Sequence, residues 1–296
     1  MVSPMQRKLA VEMVVSMGLS GRKRACRVIG LARSSAYYQR EPSAVGLALD
    51  GLVEEVSREW PCLGYKKVTF ILRNEHGQVV NPKRVARVRR QRGLMASRKG
   101  GKRRRVVPKQ EQRRSASRAN EVWSYDFISD ATADGRSVRI LSVIDEYTRE
   151  CIVLRGARSF PARKVVEVLE EVMECTGRSP EYLRSDNGPE FVARVVRQWV
   201  EKVGIQACYI EPGAPWENGH VESFHAQLRA ELLDRELYVD MQEINPSLED
   251  WQERYNYKRP HGSLGNLPPT VAAQRELPLR PPAYAPVHAG KLTRNR

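Results

Sequence analysis

The spacing of apolar residues changes near residue 120, and the change separates two kinds of predicted structure. Before it, apolar positions recur at intervals of three and four, as in residues 47–60, which is typical of amphipathic helices. After it, short apolar runs bounded by turn residues predict strands, and longer amphipathic stretches predict helices. The predicted strands are 121–128, 137–148, 150–159, 181–186 and 205–210, and the predicted helices are 161–177, 189–204 and 220–237. Three strands followed by alternating helices and strands indicate an α/β domain with a mixed sheet.

Residues 19–40 predict a helix, a tight turn and a second helix. Cys26 suits a small buried position in the first helix, and Gly30 follows where a positive φ is needed. An ordinary pair of helices with a basic surface gives the same pattern, so DNA contact here is a hypothesis. The side chains that would reach the DNA open the second helix, and they are Arg33, Ser34 and Ser35.

A second small helical unit is predicted over residues 46–96. Its last helix starts at Asn81, a favourable N-cap residue, with Pro82 at the first helical position. Basic side chains crowd this helix and are expected to contact DNA phosphates, although exposed arginines on a helix are commonly only a solvated face. They are Lys83, Arg84, Arg87, Arg89, Arg90 and Arg92, of which the first three are the principal candidates.

Charge is distributed unevenly along the chain. The formal net charge is +15, yet residues 1–118 carry 28 basic and 8 acidic residues, whereas residues 119–296 carry 22 and 27. A basic front joined to a mildly acidic remainder indicates a polyanionic partner, and nucleic acid fits better than an anionic membrane. Residues 97–120 form a basic linker that is expected to lie along DNA. Its candidate contacts are Lys102, Arg103, Arg104 and Arg105.

Several classes of protein are disfavoured by what the sequence lacks. No stretch approaches 18 consecutive apolar residues, so no membrane helix is predicted and a cytoplasmic protein is expected. The five cysteines are scattered and never form a Cys-x-x-Cys pair, which argues against a disulfide framework or a zinc site. His220 and His225 also lack cysteine partners, and His225 is placed instead as a residue that lines a cleft.

Three acidic residues fall where the chemistry of such a domain would be placed. Asp126 lies in the first predicted strand, Asp186 directly follows the fourth, and Glu222 lies near the start of the helix after the fifth. Asp130 and Asp145 are rival acids for the first position, and Asp145 suits a structural role at a strand end.

The helix that carries Glu222 has two useful stripes. An apolar stripe would pack on the sheet, and it consists of Val221, Phe224, Leu228 and Leu232. Glu222, His225 and Arg229 follow an adjacent stripe at i, i+3 and i+7, on one rim of the buried face. The helix could therefore project Glu222 toward carboxylates at the sheet edge and Arg229 further along the same cleft.

Carboxylates gathered in one place repel one another and call for a cation. Mg²⁺ binds oxygen ligands, usually a few carboxylates together with waters and substrate oxygens. Two such ions can activate the attacking oxygen and stabilise the leaving oxygen when a phosphodiester is displaced in line. An arginine beyond the acids could hold the substrate phosphate by two hydrogen bonds.

Three motifs together resemble the catalytic core of the DDE transposase and integrase superfamily: WSYDF, SDNGPEF and NGHVESFHAQLR. The chain is most similar to the second reading frame of transposases of the insertion-sequence three family. Thirty-five residues separate Asp186 from Glu222, and a basic residue follows Glu222 by seven positions; both are specific features. LGYKKV, NPKRVARVRRQRGL and YNYKRPHGSLGNLPP extend the similarity outside the core.

The resemblance implies a ribonuclease-H-like fold in which Asp126, Asp186 and Glu222 are the catalytic triad and bind Mg²⁺ or Mn²⁺, as two ions. It implies that Arg229 contacts the terminal DNA and that Asn187 and Gly188 shape the turn that aims Asp186. Members of the family cut at inverted repeats and join the freed 3′-hydroxyl to a new phosphodiester. They do so without a covalent protein–DNA intermediate.

The predicted organisation has five parts: a helix-turn-helix-like segment, 1–45; a second helical DNA-binding unit, 46–96; the linker, 97–120; the catalytic core, 121–240; and a C-terminal helix with a Pro-rich basic tail, 241–296. The expected partners are double-stranded DNA at the nucleoid, further copies of the chain at the DNA ends, and an upstream-frame product as fusion or partner. The alternatives are a DNA-binding regulator that does not cut, and a non-specific nuclease of the same fold.

Overall fold

The structure, a computed structural model, describes residues 3–38, 43–96, 116–186, 188, 193–210 and 218–275. The chain divides into two compact units, Met1–Glu55 and Val56–Arg296. Within those described ranges, no helix has both the length and the apolar character needed to cross a membrane.

Three short helices make up the start of the first unit. They are α1, Pro4–Ser16; α2, Arg22–Ile29; and α3, Arg33–Tyr37. Their shared core is small and consists of Val11, Ala25, Cys26 and Ala36. Gly30 ends α2 with a φ of 68°, so the predicted helix–turn–helix, with Cys26 buried and Gly30 at the turn, is confirmed as geometry. Because α3 has only five residues, the helix that begins with Arg33, Ser34 and Ser35 is little more than one turn.

The predicted second helical unit also forms its three helices. They are α4, Ala44–Glu59; α5, Tyr65–Asn74; and α6, Pro82–Gln91. Asn81 caps α6 as predicted, because its side chain accepts a hydrogen bond from Lys83 N at 2.9 Å. Arg89 corrects one expectation: it is buried and donates to the carbonyls of Leu63 and Leu94, so it holds the unit together instead of facing DNA.

A mixed sheet of five strands forms the centre of the second unit. The strands are β1, Val122–Ala131; β2, Ser137–Asp145; β3, Cys151–Ala157; β4, Tyr182–Ser185; and β5, Gln206–Tyr209. Their order is β3-β2-β1-β4-β5; β2 is antiparallel to both β1 and β3, whereas β4 and β5 run parallel to β1. The predicted mixed sheet is confirmed, and β1 lies at its middle.

Helices cover both faces of this sheet. The helices are α7, Ala162–Thr176; α8, Arg194–Val203; α9, Gly219–Leu228, which continues as a π-helical turn over Arg229–Leu233; α10, Met241–Tyr257; and α11, Pro269–Gln274. Successive residues of a strand face opposite sides, so Trp123 and Tyr125 pack in the core under α7 and α8, whereas Ile128 packs in the core under α9 and α10. Asp126, two residues before Ile128, therefore faces α9.

Candidate active site

Asp126 lies on β1 at the level where the neighbouring strand β4 ends. Residues 122–124 pair with residues 182–184 in β4, while β1 continues beyond them against β2. The Asp126 carboxylate accepts hydrogen bonds from Phe127 N at 2.7 Å and from Asn218 Nδ2 at 3.3 Å. One side of Asp126 is thus bordered by the start of α9, and the other by the end of β4.

Asp186 directly follows β4, as the sequence predicts. In the β1–β4 pairing each partner is 60 residues further along the chain, as in Ser124 opposite Arg184. Asp126 and Asp186 each lie two residues beyond the Ser124–Arg184 pair, Asp126 within β1 and Asp186 just after the end of β4. Asp186 Oδ1 accepts a hydrogen bond from Gly188 N at 2.9 Å. Asn187 lies outside the described residues.

Glu222 lies in the first turn of α9 and is exposed. The predicted apolar stripe of this helix is confirmed, because Val221, Phe224, Leu228 and Leu232 are all buried against the sheet. That packing holds α9 against the sheet, and the hydrogen bond from Asn218 brings the start of α9 to Asp126. Glu222 follows Asn218 by four residues. The three predicted acids therefore lie within β1, directly after β4 and in the first turn of α9.

The described part of the chain does not contain three acidic, histidine or cysteine side chains already close enough to hold a metal ion. Asp126, Asp186 and Glu222 do not form such a group, and the triad stays a prediction. Their donors are carboxylate oxygens, which suit Mg²⁺ or Mn²⁺ and not a soft metal.

Behind Asp126, His225 connects α9 to β2. His225 Nε2 lies 2.8 Å from Ser142 Oγ, and Ser142 Oγ donates to the backbone carbonyl of Asp126 at 3.1 Å. Burial, followed by the nearby charge of Arg229, lowers the pKa of His225 to about 4. The imidazole is therefore neutral near pH 7, and since the Ser142 proton is already used, Nε2–H donates to Ser142 Oγ. His225 thus packs against β2 through Ser142, and its predicted place in the lining of a cleft stays a prediction.

Arg229, the predicted DNA contact, begins the π-helical turn. Its Nη2 donates to Ser129 O at 2.5 Å, and its Nη1 lies 3.8 Å from Asp234 Oδ1. The π-helical hydrogen bond runs from Asp234 N to Arg229 O at 2.8 Å. The side chain is 42% exposed. Its contact with DNA stays a prediction.

The two rival acids have local roles. Asp145 is fully buried and accepts hydrogen bonds from the backbone N–H groups of Asn120, Tyr147 and Thr148, at 2.7, 2.8 and 3.0 Å. Its carboxylate therefore fixes the turn after β2, the structural role expected for it. Asp130 accepts from Ala131 N at 2.8 Å, four residues further along β1 than Asp126.

A buried ion pair beneath the acids is not predicted by the sequence analysis. Arg184 Nη1 donates to Glu146 at 2.6 and 2.8 Å, and Ser124 Oγ donates to the same carboxylate. Ser124 and Arg184 each lie two residues before a candidate acid, on the same face of the sheet. The pair thus joins β1, β4 and the turn after β2. An arginine within a short buried strand is the signal that could have indicated it.

Besides Arg229, the predicted DNA contacts within the described residues lie on α3 and on α6. Arg33, Ser34 and Ser35 form the first turn of α3, and Lys83, Arg84 and Arg87 lie along α6. Lys102, Arg103, Arg104 and Arg105 lie outside the described residues.

Family models match both the domain that contains the mixed sheet and the second helical unit before it. Models described as "Integrase core domain" match residues 116–215 and 203–269, and a model described as "HTH-like domain" matches residues 47–103. The helix-turn-helix match thus falls on the second predicted helical unit.

Relatives with similar sequences come from insertion elements. The Insertion element IS476 uncharacterized 39.2 kDa protein of Xanthomonas euvesicatoria is 31% identical over 96% of this chain and 83% of its own length. Transposase InsD for insertion element IS2A/D/F/H/I/K of Escherichia coli is 26% identical over 73% of this chain and 75% of its own length. A solved HTLV-2 integrase catalytic core domain in complex with magnesium is similar at 14% identity and a TM-score of 0.42, over 53% of this chain and 97% of that one.

The sheet order, the integrase core matches and the similarity to the IS476 protein over 96% of this chain agree with one another: the chain belongs to the DDE transposase and integrase superfamily, as a transposase of the insertion-sequence three type.

Proposed function

We propose that this transposase cuts DNA at the terminal inverted repeats of its insertion element and joins the freed 3′-hydroxyl to target DNA, with Asp126, Asp186 and Glu222 as metal ligands. The observation that supports the proposal is the β1–β4 register, because Asp126 and Asp186 each lie two residues beyond its last pair, and Asn218 at the start of α9 donates to Asp126. Three carboxylates in that arrangement suit a hard divalent cation, because their mutual repulsion needs compensation.

Bound at these acids, divalent ions would supply activation of the attacking oxygen and stabilisation of the leaving oxygen. The protein's own residues prepare the site. Phe127 N and Asn218 Nδ2 hold the Asp126 carboxylate in one orientation, and the Gly188 N–H does so for Asp186. His225, neutral at pH 7, fixes α9 against β2 and thereby the position of Glu222.

Substrate binding is assigned to basic side chains on separate elements. Lys83, Arg84 and Arg87 on α6 would contact backbone phosphates, and Arg33, Ser34 and Ser35 on α3 would approach a groove. Arg229 would reach the terminal DNA from the rim of the site. Because two ends must be brought together, the reaction at the nucleoid would use more than one copy, with an upstream-frame product as a further partner.

The test is nicking and strand transfer on DNA that carries the element's own ends, in Mg²⁺ or Mn²⁺. Asp126→Asn, Asp186→Asn and Glu222→Gln should each lower both activities by at least about 10³-fold, because the three acids act as one unit. Binding to the same DNA in a gel shift should persist. Asp130→Asn, an acid of the same strand outside the triad, is the matched control and should keep its activity.

Nicking that survives Asp186→Asn would overturn the triad. Occupation of the ends without metal-dependent cutting, at every protein concentration, would identify the regulator instead. Cleavage with no preference for the ends would identify a nuclease of the same fold.

A further inference from the structure

Asn218 is an N-cap residue whose side chain does not cap its helix. Asparagine is favoured at this position because its oxygen accepts a hydrogen bond from an early backbone N–H of the helix. Asn81 does this for α6, and Asp240 does it for α10 through Gln242 N and Glu243 N. At the start of α9 the Asn218 side chain makes no such bond.

The Asn218 side chain is directed at Asp126 instead. Its Nδ2 donates to Asp126 Oδ2 at 3.3 Å, and the residue is only 6% exposed. Its Oδ1 is buried and finds no hydrogen-bond partner in the described structure. A buried acceptor left without a donor is unfavourable, and native structures contain few of them. The residue thus gives up a helix cap and leaves an oxygen unpaired beside a candidate metal ligand.

The chemistry of this oxygen points to one class of ligand. An amide oxygen is a hard, neutral donor of lone pairs, so it attracts a hydrated divalent cation and repels an anion. It lies four residues before Glu222, so the same turn of α9 carries both. Residues just outside the ligand set that orient a metal ligand are a regular part of metal sites.

We propose that Asn218 is a positioning residue of the metal site: Nδ2 orients the Asp126 carboxylate, and Oδ1 accepts a hydrogen bond from a water of the Mg²⁺ or Mn²⁺ hydration shell. The inference rests on the proposed function, because it requires a cation at Asp126. The proposal adds a fourth residue to the site and gives the asparagine four positions before Glu222 a physical role.

The test measures Mn²⁺ binding to the metal-free full chain by calorimetric titration. The thermal unfolding of each variant is measured separately, without metal. Asn218→Ala should weaken Mn²⁺ binding by about 10- to 100-fold. Its melting temperature without metal should change little, because removal of the unpaired buried oxygen offsets the loss of the hydrogen bond from Nδ2 to Asp126. Asn81→Ala is the matched control: it removes a working cap, so its melting temperature should fall while its Mn²⁺ affinity stays unchanged.

Asn218→Asp gives a second and opposite signature. The added carboxylate should strengthen Mn²⁺ binding, and it should lower the melting temperature without metal because it repels Asp126. Unchanged Mn²⁺ affinity in both Asn218 variants, while Asp126→Asn abolishes binding, would overturn the role of Asn218 and leave the proposed function standing. Mn²⁺ binding that is absent from the wild-type chain, or unaffected by Asp126→Asn, would overturn the proposed function as well.

Discussion

At the scale of single residues, the side chains next to the candidate active site are either uncharged or held in an ion pair. His225 is held neutral by burial and by Arg229, and donates to Ser142, which in turn donates to the Asp126 carbonyl. Glu146 is neutralised by Arg184 directly beneath the acids. The sequence did not predict these contacts, because they join residues 16 to 83 positions apart. Which of many polar side chains meet depends on strand register and helix placement.

The neutral state of His225 makes stability depend on pH. The unfolded chain takes up a proton near pH 6.5, whereas folded His225 does so only near pH 4, so the unfolded state binds more protons between these values. Its contribution is complete above about pH 6.5 and is lost as the pH falls, by up to about 3 kcal/mol at pH 4.

Urea unfolding measured from pH 7 to pH 4 tests this effect. His225→Gln, which keeps an N–H donor for Ser142 but does not titrate, should show a smaller loss of unfolding free energy over that range. His261, whose pKa is also lowered by burial, contributes in the same direction and remains in both proteins. Equal losses in wild type and variant would show that His225 is not held neutral.

At the scale of elements, the apolar pattern was sufficient where one face of an element is buried. It predicted the five strands and the stripe of α9, because Val221, Phe224 and Leu228 all meet the sheet. It did not predict α1, whose large apolar residues are mostly exposed; the Ser3–Gln6 capping box and Pro4 were the available signal. No sequence pattern predicted the π-helical turn. Leu232 and Leu233 are both buried within it and pack in the core against the sheet, and a regular helical pattern does not indicate this.

Helix α10 covers β3 at a close backbone approach. Asn245 Oδ1 accepts from Gly156 N at 2.9 Å, and a Cβ on Gly156 would lie 3.1 Å from that oxygen and 3.2 Å from Met241 Cε. Gly156→Ala should therefore lower the free energy of unfolding by about 1–3 kcal/mol, because α10 must move away. Gly51→Ala, in open space on α4, should raise it by about 0.5–1 kcal/mol. Denaturant unfolding of both variants measures the contrast, and equal effects would contradict the close packing.

At the scale of the whole molecule, charge and chemistry are separated along the chain. The basic excess lies before residue 119, and the candidate acids lie after it. The sequence identified the family through motifs that hold the acids at fixed spacings. It could not show that the three acids do not form a metal-binding group in this structure, since that depends on where their side chains lie.

This separation predicts that DNA affinity and cutting can be altered independently. Replacing Lys83, Arg84 and Arg87 with alanine should weaken DNA binding and reduce the slope of log affinity against log salt by up to about 3, at about 0.9 per phosphate contact. Nicking by the DNA-bound protein should persist. The equal-charge control replaces Arg163, Arg194 and Arg197 on α7 and α8 and should keep the wild-type slope. The same slope for the wild type, the α6 variant and the control variant would show that these residues of α6 do not contact DNA.

Anomalous X-ray diffraction from crystals of the full chain soaked in Mn²⁺ would show whether Asp126 and Asp186 share a metal ion. We expect an anomalous peak coordinated by carboxylate oxygens of both Asp126 and Asp186 near the start of α9, and the loss of that peak in Asp126→Asn. A Mn²⁺ peak at Asp130 or Asp145 instead, or the same peak in Asp126→Asn, would contradict this expectation.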